Sequence, residues 1–276
     1  MATQSAAAKA VQHKEKIRKG LAGFKLEPAK IGELSQIVKL EHKAWPPPKS
    51  SNGAMQADAE KFRKRIEKGC LYLLKRLPQP VVLADGEMPP EPEIVGMITA
   101  QKVDLVSEAQ VWQVLGLFAQ KGIMDWAEIA GMGFPRDWYE ATADGNLDFH
   151  KPDGKIGWLV GVSVDPGLRG NGLVNKIIGG LVEHMHSEGI NYVIGYGRMP
   201  QLHKLFGSGE EALPHLVEYL QQARGDGLSV DYGVRFHQNN GAKAVSPIPY
   251  AMAEGDDWES LGHGFLAVYD LKKVMG

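Results

Sequence analysis

Apolar positions along the chain follow two patterns, a continuous or alternating one typical of strands and a 3.6-residue period typical of helices. Strands are predicted at residues 24–26, 70–76, 81–84, 93–103, 156–164, 190–196, 242–248 and 264–271. Helices are predicted at residues 31–44, 58–68, 173–189 and 235–240, each ending at or near a glycine or a proline. Strands that alternate with helices and are followed by two late strands predict an α/β domain with a mixed sheet.

Three stretches fall outside this pattern. Residues 1–23 are rich in alanine and basic side chains, and we interpret them as an N-terminal extension. Residues 24–276 then form one domain with two insertions, at about 105–155 and 198–233. The first insertion is rich in aromatic residues, which indicates either a lid over a site or an interface with a partner.

The sharpest local signal is a strand, a tight loop and a helix in direct succession. The strand IGWLVGVSV, residues 156–164, leads into the loop DPGLRGNG, residues 165–172, and an apolar helical stripe follows. Gly170 and Gly172 permit positive φ angles, so backbone N–H groups can converge at the helix N-terminus. This arrangement predicts an anion site suited to a pyrophosphate, with Arg169 as a charged contact. A plain tight turn is the alternative.

Two other phosphate-binding patterns do not fit this loop. In a Walker A loop, Leu173 and Val174 would stand where lysine and Ser/Thr are needed. In a dinucleotide-binding loop, Asn175 would take the place of the third glycine.

The run from Val162 to Leu173 resembles motif A of the GNAT acyltransferases, which reads roughly V-x-V-x-P-x-x-R-G-x-G-[IL]-[GA]. The resemblance implies the GNAT fold, with a mixed, mostly antiparallel central sheet flanked by helices, and an acyl-CoA as co-substrate. It also implies that the pyrophosphate binds the amides of residues 169–174 and that the pantetheine arm follows residues 161–164. The implied acyl-CoA-binding residues are Val162, Ser163, Val164, Arg169, Gly170, Asn171, Gly172, Leu173 and Val174, the last of which replaces the usual Gly or Ala.

A second motif, FHQNNGA at residues 236–242, resembles the later GNAT element F-Y-x-x-x-G-F. His237 replaces a tyrosine that usually protonates the leaving CoA thiolate. Imidazole titrates near neutral pH, so we predict His237 as the catalytic acid–base residue. A packed helix histidine is the alternative.

The Phe-His form of this motif is closer to the GNAT-like loading domains of curacin-type polyketide synthases. Those domains decarboxylate malonyl-CoA and pass the acetyl group to a carrier-protein thiol. They have a threonine before an arginine, whereas this chain has Gly197 before Arg198, which disfavours decarboxylation. Residues 195–204 are also similar to GNAT domains fused to carbon–nitrogen hydrolases.

Composition excludes several other classes of function. The 31 basic and 33 acidic residues give a net charge of -2, so bulk electrostatics recruits neither nucleic acid nor an anionic membrane. A single cysteine, Cys70, excludes an internal disulfide and a cysteine-based zinc cluster. His184 and His186 are two residues apart on a predicted helix and make a poor metal pair, so we expect no metal. Without an apolar span or a secretory signal we expect a cytoplasmic protein, with a transit peptide as the alternative.

These observations predict an enzyme that transfers an acyl group, acetyl by default, from acetyl-CoA to an amine or a carrier-protein thiol. Trp45 follows the first predicted helix and is expected to line the acyl or acceptor pocket, with core packing as the alternative. Two other functions stay open. One is a malonyl-CoA decarboxylase that loads a carrier protein, and the other is a non-catalytic acyl-CoA-binding protein. We expect neither a nucleic-acid nor a membrane partner.

Overall fold

A seven-stranded sheet organises the part of the chain that this computed structural model describes, residues 23–45, 56–78, 90–253 and 255–275. The strands are β1 (Phe24–Pro28), β2 (Leu71–Arg76), β3 (Glu93–Val103), β4 (Ile156–Val164), β5 (Tyr192–Arg198), β6 (Lys243–Ile248) and β7 (Gly264–Asp270). Their spatial order is β1-β2-β3-β4-β5-β7-β6. Only the pair β4–β5 is parallel in this sheet. The mixed, mostly antiparallel sheet is confirmed; the predicted strand 81–84 and residues 1–22 lie outside the described residues.

Helices pack on both faces of the sheet. One face, the α1 face, carries α1 (Leu34–Ala44), α2 (Ala59–Glu67), α3 (Glu108–Lys121), α4 (Trp126–Ala130) and α5 (Trp138–Thr142). The other, the α6 face, carries α6 (Leu173–Ser187), α7 (Gly209–Ala212), α8 (Leu216–Gln221), α9 (Tyr232–Asn239) and α10 (Leu271–Met275). In the described ranges, no helix has the length and apolarity needed to cross a membrane.

Local sequence explains where several helices begin and which side they bury. Asp58, Ser107 and Asp231 each precede a helix and accept a hydrogen bond from an N–H group of its first turn. The long helix α6 buries the stripe that its 3.6-residue period predicts, namely Leu173, Ile177, Ile178, Leu181, Val182 and Met185. The loop after β4 and the start of α6 are therefore held rigidly against the sheet.

The prediction for β5 was wrong by two residues at each end. The N–H of Ile190 donates to the carbonyl of Met185 at 3.1 Å, so Ile190 belongs to the turn after α6. At the other end, Arg198 is still paired with Gly264 of β7. The strand therefore extends into the range predicted as the second insertion, because pairing with a distant strand is invisible in the local apolar pattern.

Candidate active site

The parallel strands β4 and β5 separate into a fork. Their pairing ends at Leu159 and Gly195, although β4 continues to Val164 and β5 to Arg198. Beyond the last pair, one edge of β4 remains bonded to β3 while its other edge faces the gap. The free N–H and C=O groups of that edge can bind an extended ligand as they would bind an added strand.

A β-bulge in β4 accounts for the fork. Thr99 pairs with Gly161, but the next residue of β3, Ala100, pairs with Leu159. Val160 is therefore an extra residue in β4. A bulge bends the strand that carries it, so β4 turns away from β5 at this point.

The segment 135–138 ties the two arms of the fork together on the α1 face. Trp138 Nε1 donates to the carbonyl of Val160 at 3.1 Å, and the Tyr196 hydroxyl donates to the carbonyl of Pro135. Val160 and Tyr196 are the first residues beyond the last β4–β5 pair. Burial raises the pKa of Tyr196 well above its usual value, so the hydroxyl keeps its proton and remains a donor. The predicted first insertion thus contacts the fork directly.

The loop after β4 presents unoccupied backbone donors. Gly170 and Gly172 have φ angles of 81° and 74°, and no side chain caps the N-terminus of α6. Among the described residues, no group accepts a hydrogen bond from the backbone N–H of residues 170–172. The N–H groups of the first turn of α6 have no partner inside the helix, and the helix dipole adds partial positive charge there. These donors fit an anion such as a pyrophosphate.

Two charged side chains connect this loop to the end of α1. Arg169 Nη2 donates to the carbonyl of Ala44 at 2.8 Å. Lys43 Nζ lies 2.6 Å from Asp165 Oδ2, and the N–H of Gly167 donates to Asp165 Oδ1 at 2.9 Å. The bond from Lys43 is the main reason that the pKa of Asp165 lies below its usual value. Arg169 therefore holds α1 against the loop, in addition to the anion contact predicted for it.

Trp45, directly after α1, reaches β4 through a short hydrogen-bonded relay. Trp45 Nε1 donates to Ser163 Oγ at 2.7 Å, and Ser163 Oγ donates to Glu41 Oε2 at 2.9 Å. Glu41 is buried, and its burial raises the pKa of the carboxyl, while the bond from Ser163 acts in the opposite direction. We call these residues the Trp45–Ser163–Glu41 relay.

Arg198, at the end of β5, stacks on Trp45 from the other side of the fork. Its guanidinium carbon lies 5.3 Å from the centre of the Trp45 ring, within the range of a cation–π interaction. The same guanidinium donates to both oxygens of Asp257, at 2.9 Å for the Nε bond, and to Glu259 Oε2 at 3.0 Å. Burial is the largest single influence on Arg198 and opposes its charged form, but the bonds and charges of Asp257 and Glu259 together outweigh it and raise the pKa. Trp45 therefore bridges Ser163 on β4 and Arg198 on β5.

His237, in α9, lies on the α6 face and is 8% exposed. Its Nδ1 atom lies 2.8 Å from the hydroxyl of Tyr269 on β7. The rings of Phe236 and Phe265 contact the imidazole edge to face at 4.8 and 5.2 Å between centres. Burial in these surroundings lowers the pKa of His237 to about 4, so the ring is neutral at physiological pH. Its Nε2 atom has no hydrogen-bond partner among the described residues.

Gly197 faces His237 from the β5 arm of the fork. A Cβ atom at Gly197 would lie 3.0 Å from His237 Nε2 and 2.4 Å from two ring atoms of Phe265. A side chain therefore fits at this position only if Phe265 moves. The fork is thus bordered by His237 on the α6 face and by Trp45 and Arg198 on the α1 face.

Several solved structures have this architecture. The loading GNATL domain of CurA from Lyngbya majuscula superposes with a TM-score of 0.62 and 21% identity, over 91% of this chain and 98% of that one. The GNAT-like decarboxylase GphF, in complex with isobutyryl-CoA, gives 0.55 and 19%, over 90% and 99% of the two chains. Malonyl-CoA decarboxylase from Agrobacterium vitis gives 0.56 and 14%, over 91% of this chain and 62% of that one. The chain has the GNAT fold. No family model matches the sequence, and no curated protein matches it.

Within the GNAT fold, the predicted acyl-CoA-binding residues form a continuous path along β4, the loop and the start of α6. Val164 and Leu173 are buried in the core of the α6 face, and Val162 and Val174 pack partly against it. The side chains of Val164 and Leu173 are therefore committed to packing, so only their backbone groups are available to a ligand, whereas the side chains of Val162 and Val174 stay partly exposed. Ser163 is committed in a different way, because its hydroxyl belongs to the Trp45–Ser163–Glu41 relay.

Three residues that shape the fork were missed in the sequence. Glu41 follows Ile37 by four positions and Val38 by three, so it lies on the apolar face of its helix, and a carboxyl in that stripe is a local signal of a buried polar group. Tyr269 lies in an apolar strand where a buried ring is ordinary, and Trp138 is one of several aromatic residues of the first insertion. No local signal distinguishes Tyr269 or Trp138, because each acquires its partner from a distant element.

In the described ranges, no group of three or more His, Cys, Asp or Glu side chains is placed to hold a metal ion. The thiol of Cys70 is buried, and burial raises its pKa to about 12. That thiol is therefore protonated at neutral pH and is a poor nucleophile.

Proposed function

We propose that this protein is a CoA-dependent acyltransferase that moves an acyl group, acetyl by default, from an acyl-CoA to an amine or to a carrier-protein thiol. The observation that carries the proposal is the fork. A free backbone edge of β4 leads away from free N–H groups at the start of α6, and His237 borders the gap beside Gly197. Each of these parts suits a different part of an acyl-CoA.

The proposed binding mode runs from the loop into the fork. The pyrophosphate binds the N–H groups of residues 170–174, where the helix dipole favours negative charge. The amide groups of the pantetheine arm bond to the free edge of β4 at residues 161–164. This path brings the thioester to the fork, with His237 on one face and Trp45 on the other.

The reaction that suits this arrangement is a direct attack of the acceptor on the thioester carbonyl. A new C–N or C–S bond forms, the C–S bond to CoA breaks, and the CoA sulfur leaves as a thiolate. The acceptor approaches from the α1 face, where Arg198 bonds through Nε and Nη2 to Asp257 and Glu259. The two carboxylates outnumber the one guanidinium, and this excess of negative charge favours an amine acceptor.

A second candidate is malonyl-CoA decarboxylation followed by transfer of the acetyl group to a carrier thiol. The GNAT-like decarboxylases among the structures of similar fold support it. Against it, Gly197 has no side chain and so supplies no hydroxyl at the position that faces His237 Nε2. The charge of Arg198 is also already paired with Asp257 and Glu259, which weakens its attraction for a malonyl carboxylate. A third candidate is a protein that binds acyl-CoA without turnover.

Incubation of the purified protein with acetyl-CoA or malonyl-CoA tests these candidates. Each thioester is offered to a panel of primary amines and, separately, to a holo carrier protein, and products are identified by mass spectrometry. The His237→Ala variant is run beside His186→Ala, a matched histidine substitution at an exposed position of α6.

Acylated amine or carrier formed from acetyl-CoA, and lost only in His237→Ala, supports acyl transfer. Acetyl-carrier formed together with CO2 from malonyl-CoA supports the decarboxylase instead. Binding of acetyl-CoA without any product, and with an affinity that His237→Ala leaves unchanged, supports the non-catalytic protein. If neither thioester binds, the proposal is wrong.

A further inference from the structure

The hydroxyl of Tyr269 is the hydrogen-bond partner of His237, and this pair decides which ring nitrogen carries the proton. Tyr269 is fully buried in β7, and its hydroxyl lies 2.8 Å from Nδ1. We propose that Tyr269 holds His237 as the neutral Nε2–H tautomer, so that the imidazole acts on the fork as a fixed hydrogen-bond donor. The catalytic consequence rests on the proposed acyltransferase function, whereas the tautomer does not.

Hydrogen-bond satisfaction selects this tautomer. If Tyr269 donates to Nδ1, the phenolic hydrogen is satisfied and the ring proton resides on Nε2. In the opposite arrangement Nδ1–H donates to the phenolic oxygen, and the phenolic hydrogen then has no acceptor among the described residues. The two unpartnered hydrogens are not equivalent, because Tyr269 is 0% exposed, whereas His237 is 8% exposed and its Nε2 atom is not among the fully buried polar atoms without a partner. An Nε2–H group can therefore donate to water or to a ligand in the fork, while a phenolic hydrogen turned away from Nδ1 stays buried without an acceptor. This difference favours the Nε2–H form by about 5- to 150-fold. Burial also raises the pKa of Tyr269, so the phenol keeps the hydrogen that it donates.

The Nε2–H bond points toward the fork. The position of a Cβ at Gly197 is 3.0 Å from Nε2, and no described residue accepts a hydrogen bond from this nitrogen. Burial lowers the pKa of His237 to about 4, which keeps the ring neutral. With Nδ1 occupied by Tyr269, the imidazole has one free polar group, and that group is a donor.

A neutral donor implies a role for His237 that differs from the acid–base role predicted from the motif. The Nε2–H group donates to the thioester atom on which negative charge develops, and its N–H bond stays intact throughout the reaction. The acceptor forms its bond to the carbonyl carbon, the CoA thiolate departs, and the proton of the acceptor passes to solvent. Tyr269 touches no reacting atom in this scheme and is a positioning residue.

Nitrogen NMR of the full-length protein labelled in its histidine rings tests the tautomer without any assay of activity. We expect one His237 ring nitrogen, Nε2, to be protonated and the other, Nδ1, to show the shift of a hydrogen-bonded acceptor. In Tyr269→Phe, which keeps the ring and removes the hydroxyl, the Nδ1 signal moves to the position of an unbonded nitrogen. A protonated Nδ1 in the native protein, or a doubly protonated ring at neutral pH, overturns the proposal whether or not the protein is an acyltransferase.

Kinetic measurements on the same variants test the catalytic role. Tyr269→Phe is expected to lower kcat about tenfold with an unchanged KM for acyl-CoA, whereas the matched Tyr72→Phe, a buried tyrosine of β2, changes neither. The amide nitrogen of His237→Gln takes the place of Nε2, so this variant keeps activity within about tenfold of the native protein. His237→Asn places its amide near Nδ1 and loses about 100-fold or more. Equal loss in the Gln and Asn variants would show that His237 must titrate, and the fixed-donor role would then be wrong even if the enzyme proposal stands.

Discussion

Replacing Ser163 by alanine tests the Trp45–Ser163–Glu41 relay most directly, because the Ser163 hydroxyl makes both of its bonds. Among the described residues, Ser163→Ala leaves the buried Glu41 carboxylate with one long hydrogen bond, which the N–H of Ala57 donates at 3.4 Å. A hydrogen bond to a charged group contributes about 1.5–3 kcal/mol. Trp45 is only partly buried, so water can replace the bond that its Nε1 loses. We therefore expect a loss of about 2–3 kcal/mol in the free energy of unfolding above the pKa of Glu41.

The loss of stability in Ser163→Ala should also depend on pH, in a direction that the pKa of Glu41 sets. Burial raises the pKa of Glu41 above 4.5, so the folded protein binds more protons than the unfolded chain between 4.5 and the folded pKa. Stability therefore falls as pH rises through that window. The bond from Ser163 lowers the pKa of Glu41, so its removal moves the window upward. The destabilisation by Ser163→Ala must be larger at about pH 8 than at about pH 5.

Urea unfolding at the two pH values measures both effects. Ser187→Ala is the control, because the Ser187 hydroxyl is exposed and donates only to the carbonyl of His184 in its own helix. Glu41→Gln removes the titrating group. In that background, Ser163→Ala should change the free energy of unfolding equally at the two pH values. A change below about 0.5 kcal/mol in Ser163→Ala, or an equal change at both pH values, would refute the reasoning.

Three further predictions concern the fork and its surroundings. Gly197→Ala should destabilise the protein by about 1–3 kcal/mol in urea, since the new Cβ lies 2.4 Å from the Phe265 ring; unchanged stability would contradict the close approach. Trp138→Phe removes the donor to the Val160 carbonyl, so it should lower stability by about 1 kcal/mol and weaken acetyl-CoA binding in calorimetry. An unaltered affinity would show that this bond does not shape the fork for the ligand. Cys70, with its pKa raised to about 12 and its side chain buried, should react with a thiol reagent at neutral pH only after unfolding; rapid labelling of the native protein would disprove this.

The fold and the loop proposed to bind acyl-CoA were readable in the sequence because their signals are local. Two strands, β3 and β4, have the bounds that their apolar runs predict. Gly170 and Gly172 adopt the positive φ angles expected of a turn into a helix N-terminus. Each of these features depends on a few consecutive residues, so periodicity and glycine placement suffice to find them.

Sequence alone determined that this protein has an α/β sheet with a glycine-containing turn between a buried strand and a helix, and it singled out His237 and Trp45. The tertiary structure decided how these residues work together, because their partners are far away in sequence. Ser163 meets Glu41 across 122 positions, and His237 meets Tyr269 across 32. The protonation state of a side chain depends on such partners and on burial, and neither has a period along the chain. The fork, its tie through residues 135–138 and the contact between His237 and Tyr269 therefore exist only in the folded protein.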